Sequence, residues 1–203
     1  MEIVENRLSM YNLISRIFLL EMSEDVLKKI ENSKEFEKIF PTYSKWEMRT
    51  KKSRYKLINE VLNVDFTDIT IMHMIPYESF YTRDDARIES GGANPVVQLY
   101  NEFDYRVNLD IARAVSGDHL GIELGFMAML IEAEKKAVEA GDKEAVKEIQ
   151  KQEFDFLKDH ILAFAPMYLL NVAEQARTPF YKDSANFALE FLLEDFEYLK
   201  GEV

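Results

Sequence analysis

The chain has 203 residues, 47% of them apolar, which is enough material for one substantial hydrophobic core. Its 37 acidic against 25 basic residues leave a formal charge of -12, which works against phosphate neutralisation and so against general nucleic-acid binding. The complete lack of cysteine excludes disulfides, thiolate metal sites and a cysteine nucleophile.

The start Met1-Glu2-Ile3-Val4-Glu5 is acidic, unlike the positive n-region of an export signal, and the sequence contains no Arg-Arg pair. The longest nearly apolar stretch, Ile161 to Leu170, carries Pro166 and falls short of the roughly 18 residues of a membrane span. These features predict a cytoplasmic protein without stable membrane insertion; a monomer or weak homodimer is the separate expectation for its assembly. Between Lys45 and Lys56 six basic residues face only Glu47, and with no glycine-rich loop beside them they read as a solvated helix face.

The helical period dominates throughout, which predicts an all-α single domain over 1–203, a bundle of roughly eight to ten helices, with a small two-lobed body as the runner-up. Val4, Leu8, Tyr11, Ile14 and Phe18 recur at spacings of three and four and mark one face of a first helix. Ser23 with Glu24 and Asp25 caps a short second helix. A further helix is expected over Lys45 to Leu62. From Val64 to about Ala93 the pattern turns irregular, punctuated by Pro76, Gly91 and Gly92, and predicts a long connection.

Asn94-Pro95 is a cap followed by the helical position where proline costs least, and it opens a helix to about Val107. Leu120, Leu124, Met127 and Ile131 mark the longest helix, His119 to Ala140, closed by Gly141. Asp142 begins the next, through His160, and Pro166 is expected to kink or interrupt the helical stretch around it. Thr178-Pro179 repeats the cap-plus-proline pattern before a last helix ending at Gly201.

The chemistry-bearing residues are few. Asp118, His119 and Glu123 cluster at a helix start, and with His160 they form the one candidate set for zinc or iron, which would make the chain a small metal-binding protein or metalloenzyme. No second histidine sits at short spacing and no Glu-x-x-His pair occurs, so no bound metal is expected, and the plainer role of His119 is structural. There is no Gly-x-Ser-x-Gly elbow, Rossmann fingerprint or P-loop, so no enzyme or cofactor is indicated. Glu132, Glu134 and Glu139 are expected to face water. Met72, Met74, Tyr77, Phe80 and Tyr81 crowd the irregular connection, where they serve equally as a lid on the core or as an adaptable surface for apolar segments.

Pro76-Tyr77-Glu78-Ser79-Phe80-Tyr81 resembles a signature of the TorD/DmsD/NarJ group of redox enzyme maturation proteins. Gly117-Asp118-His119-Leu120 with the helix after it is similar to that family's Pro-Asp-His motif. The segments Phe156 to Ile161, Pro166 and Phe180-Tyr181 resemble its C-terminal helices. Gly117 replaces the usual proline, and Gly125 stands where an acid is common. The resemblance implies a non-enzymatic helical chaperone for a molybdopterin oxidoreductase. Its partner would be the catalytic subunit's twin-arginine leader or N-terminal segment, held back from export until cofactor is inserted. Such a leader joins a basic region to an apolar stretch. On this resemblance Asp118 and Glu123 would meet arginine, His119 would orient them, and Tyr77, Glu78, Phe80 and Tyr81 would complete the peptide-binding site.

Overall fold

A computed structural model describes every residue except Gly92 and Ala93, and every side chain but those two and that of Pro95. The far end of the expected connection, at Gly92 and Ala93, thus lies outside the described residues. Among the described residues helices are the regular elements, and the one strand-like feature is an isolated antiparallel bridge between Tyr77 and His119.

The first half contains α1 (Glu2–Leu19), α2 (Glu24–Glu31), α3 (Phe36–Ile39), α4 (Met48–Lys51), α5 (Arg54–Leu57) and α6 (Asn63–Thr67). The second contains α7 (Glu78–Thr82), α8 (Pro95–Glu102), α9 (Leu109–Ala112), α10 (Leu120–Ala140), α11 (Lys143–Phe156), α12 (Leu162–Gln175) and α13 (Pro179–Glu202). Single π turns at Ile58–Leu62 and Leu157–Ile161 fuse α5 with α6 and α11 with α12, and a third, Asp68–Met72, prolongs α6. Eleven separate helices result among the described residues, beyond the roughly eight to ten that periodicity predicts. The surplus comes from one-turn helices such as α3, α4 and α9, too short to show a period.

Caps set most of the boundaries. Ser23, Asn94 and Asp142 accept from the N–H groups of Val26, Val96 and Ala145, and Gly141, in the left-handed region at φ 72°, closes α10. Three expected boundaries need correction. The helix expected over Lys45 to Leu62 is broken at Lys52 and Ser53, whose extended backbone lets the Ser53 hydroxyl accept from Lys56 N–H and start a new helix. That helix then runs through Val64 to Met72, so the irregular connection starts at His73 rather than at Val64. Its β-branched residues hide the signal, yet Thr67 and Thr70 fold their hydroxyls back onto the carbonyls of Asn63 and Phe66 and remain helical. The helix after Pro95 stops at Glu102 instead of Val107. Asp104 takes φ 50°, and Tyr105 N–H reaches back to Tyr100 O at 2.8 Å, a six-residue closure. Pro166 lies within α12 and does not end it.

The contacts divide the chain into two compact units. One comprises Met1–Leu19, Pro76–Ala165 and Phe191–Val203. In it α1 packs chiefly on α10, and α10 on α11. Val4, Tyr11, Ile14 and Phe18 are buried on the α1 face that their spacing predicts. Gly121 permits close approach there, since a Cβ on it would stand 2.7 Å from Leu19 Cβ and 3.0 Å from Leu19 Cα. The other unit comprises Leu20–Ile75 and Pro166–Glu190. Its core stacks Phe40 on Phe180 with ring centroids 4.9 Å apart, and Asp183 accepts from the N–H groups of Thr42 and Tyr43, both at 2.8 Å. In the same unit Glu31 receives Arg49 and Arg54, so those two members of the basic run are paired rather than wholly solvated. No helix among the described residues is long and apolar enough to cross a membrane.

Candidate functional site

The two motif segments meet in the first unit. Glu78 N–H donates to Asp118 O at 2.9 Å and Leu120 N–H to Pro76 O at 2.8 Å, which lays residues 76–78 against the entry to α10. The Asp118 carboxylate adds Oδ2 as acceptor for Ser79 N–H at 2.8 Å. Tyr77 is buried with its ring edge-on to His119, centroids 5.0 Å apart, and its hydroxyl accepts from Val115 N–H. A second tier of bonds links Ser79 Oγ, Glu89 N–H and O, Ser116 Oγ and Asn94 Nδ2. Gly117 fits this crowded turn because a Cβ there would stand 2.8 Å from Val97 Cγ2.

His119 caps α10: Nδ1 accepts from Gly121 N–H at 3.0 Å, and burial holds its pKa down at about 4 against the opposing pull of Asp118. It is therefore a neutral imidazole with the proton on Nε2. Glu123 is fully buried. Burial first, then the charges of Glu78 and Asp118, push its pKa well above the usual carboxylate range, and the protonated group can donate to Glu78. Glu78 in turn faces His160 Nδ1 at 3.2 Å. Gly125 leaves room for the Tyr105 hydroxyl, which would lie 2.8 Å from a Cβ there.

The seven sequence-predicted residues thus share one neighbourhood but differ in access. Asp118 and Glu123, at 1% and 0% exposure, have no surface to offer an arginine, and Tyr77 and His119 are likewise buried. Phe80, Tyr81 and Glu78 are part-exposed, and Tyr81 lies 5.8 Å from the Phe164 ring. His160, put forward from the sequence as a metal ligand only, is instead the partner of Glu78. Among the described residues no three His, Asp or Glu side chains converge as a metal-binding set.

Sequence reasoning missed the other buried polar centre of this unit. Glu134, expected to face water, is fully buried and accepts from Arg7 Nη1 at 2.8 Å and from Gln150 Nε2 at 2.7 Å. Arg7 also donates to Glu153 at 2.6 Å and to both oxygens of Asp195. The signal lay in register, since Arg7 stands on the same helical face as Val4, Tyr11 and Ile14.

The unusual protonation of Glu123 has a measurable consequence. A carboxyl whose folded pKa is raised is protonated in the fold while the unfolded chain ionises near 4.5, so its contribution falls as pH rises above that value. His119 has the opposite slope, losing stability as pH falls from 6.5 towards 4. Glu123→Gln, which mimics the protonated form, should gain on the parent by up to ~1.4 kcal/mol per pH unit from about pH 5 upwards. Parallel denaturant stabilities of parent and variant from pH 5 to 8 would show that Glu123 is ionised in the fold.

Comparison with family models gives a match to the nitrate reductase delta subunit model over residues 59–169, more than half of the chain and including both motif segments. Comparison with curated proteins and with solved structures gives no match.

Proposed function

We propose, since the chain belongs to the nitrate reductase delta subunit family of molybdoenzyme maturation chaperones, that it holds the leader or N-terminal segment of a molybdopterin oxidoreductase catalytic subunit during assembly. While bound it assists cofactor insertion and assembly, and it releases the segment for any export only after the cofactor is in place. The observation that carries this reading is that the family match spans the Pro76–Tyr81 segment and the Asp118–Glu123 turn, which hydrogen bonds join into one unit whose part-exposed members are Glu78, Phe80 and Tyr81. In this reading Phe80 and Tyr81, part-exposed, touch the client, with Glu78 beside them. Tyr77, Asp118, His119 and Glu123 hold that segment in place from within. The chaperone works in the cytoplasm as a monomer or weak homodimer, with no cofactor of its own. Its net charge of -12 speeds encounter with a basic leader, an effect that fades with salt.

Titration calorimetry against a synthetic peptide with two adjacent arginines and an apolar stretch tests the reading, with a scrambled peptide as control. The ordered peptide should bind the parent more tightly than the scrambled one. Tyr81→Ala, checked for folding by circular dichroism, should weaken it ~10-fold at low and high salt alike, as loss of a buried aromatic anchor does. Equal binding of both peptides by the parent overturns the proposal.

A further inference from the structure

Beside the motif region, and wholly within the first unit, a cavity of about 260 Å³ opens between α8, α10 and α11. Its floor is aromatic: Phe126 packs edge-on to Phe156 at 4.7 Å and to Phe103 at 5.5 Å, and Leu99 adds a half-exposed wall. Its rim carries His160 and two carboxylates, Asp155 and Asp159, and no lysine or arginine lines it. Each carboxylate pairs with an exposed lysine, Lys151 at 2.6 Å and Lys158 at 2.8 Å, pairs that contribute little and that an incoming guanidinium can displace.

The volume lies below the ~300 Å³ at which small-molecule sites begin, and suits one or two side chains. An apolar floor under an acidic rim selects an apolar or aromatic anchor with a cationic neighbour, the pattern of a hot spot at a peptide interface. We infer that this cavity is the anchor pocket for an arginine-flanked apolar segment of the client, seating one apolar side chain on Phe126 and Phe156 while arginine meets Asp155 and Asp159. The inference rests on the client-binding reading above, and deepens it by placing the anchor away from the buried Asp118 and Glu123. His160 joins the two places, stacking on Phe156 at 5.0 Å while its Nδ1 faces Glu78 at the start of α7.

The test uses the full chain and the same arginine-plus-apolar peptide, fluorescein-labelled and followed by anisotropy. Leu99→Trp fills the mouth from a half-exposed position and should weaken binding at least ~10-fold at every salt concentration. The double variant Asp155→Asn and Asp159→Asn changes only exposed groups, and should weaken binding about 3-fold at low salt and flatten the salt dependence. If the parent binds and both variants bind like it, the pocket is wrong while the client-binding reading stands. If the parent does not bind the peptide, that reading fails and the pocket with it. If Leu99→Trp instead abolishes self-association of the chain and leaves peptide binding intact, a second copy occupies the groove and the inference is overturned.

Discussion

Arg7→Met should lower the free energy of unfolding by about 3–5 kcal/mol, the loss expected when one partner of a buried ion pair is removed and the other is left without it. Arg7 is 4% exposed and donates to three carboxylates that are at most 4% exposed, those of Glu134, Glu153 and Asp195. Tyr11 supports Asp195 from a fourth side, its hydroxyl donating at 2.7 Å. Burial drives Glu153 up to about 8 even though the Arg7 charge pulls it down. Without that guanidinium, at least two buried carboxylates face each other uncompensated and must either take up protons or draw water into the core. The loss should therefore shrink in acid, where protonation relieves them. Charge rather than shape is the cause if Arg7→Met combined with Glu134→Leu, Glu153→Leu and Asp195→Leu recovers most of the stability, the strong non-additivity of groups sharing one network. Urea unfolding followed by circular dichroism at pH 5 and pH 8 measures both effects. A single variant within about 1 kcal/mol of the parent at pH 8 would show the cluster to be hydrated and its charges screened.

The helical class was legible because long amphipathic helices announce themselves: α1 buries the stripe its spacing predicts, and α10 begins and ends on its own cap residues. Local chemistry was less reliable where it competed with an equally local alternative. Ser53 reads as one more polar residue in a basic helix, yet its hydroxyl starts a new one. Val64 to Met72 reads as non-helical because it is rich in β-branched residues, yet threonine back-bonding and the π turn at Asp68–Met72 carry the helix through. At the site, the motif pairing was legible because Pro76 to Tyr81 and Asp118 to Glu123 are distinctive strings. Their burial was not. A carboxylate in sequence carries no mark of whether it will greet an arginine or, as at Glu123, have its pKa pushed up by burial beside Glu78 and Asp118. Arg7 and Glu134 failed for the same reason, since only the fold shows that charges 127 positions apart satisfy each other at 2.8 Å.

Asp65→Ala should cost about 3 kcal/mol or more, because one fully buried carboxylate there closes three hydrogen bonds at once. Oδ1 accepts from Arg177 N–H at 2.9 Å, and Oδ2 accepts from Thr178 N–H at 2.7 Å and from the Thr178 hydroxyl at 2.6 Å. These donors belong to the turn between α12 and α13, where the chain must reverse before Pro179. Thr178 spends its hydroxyl proton on Asp65 and uses a lone pair on Tyr181 N–H at 3.4 Å, so the same carboxylate orients the cap of α13. Alanine removes the acceptor of two backbone donors, one of them on buried Thr178, and frees the threonine to rotate. Asparagine should recover part of the loss, since its amide oxygen can keep both Thr178 bonds while its NH2 group faces the single N–H donor of Arg177. Trp46, the single tryptophan, belongs to the same compact unit as Asp65 and Thr178 and lies 6.2 Å from Tyr43, so its fluorescence reports that unit directly. Its denaturation midpoint should fall sharply in Asp65→Ala and by a smaller step in Asp65→Asn. Comparing that midpoint with the one from circular dichroism shows whether the two units melt together. An unchanged tryptophan midpoint in Asp65→Ala would mean that other groups satisfy the turn and that the carboxylate is dispensable.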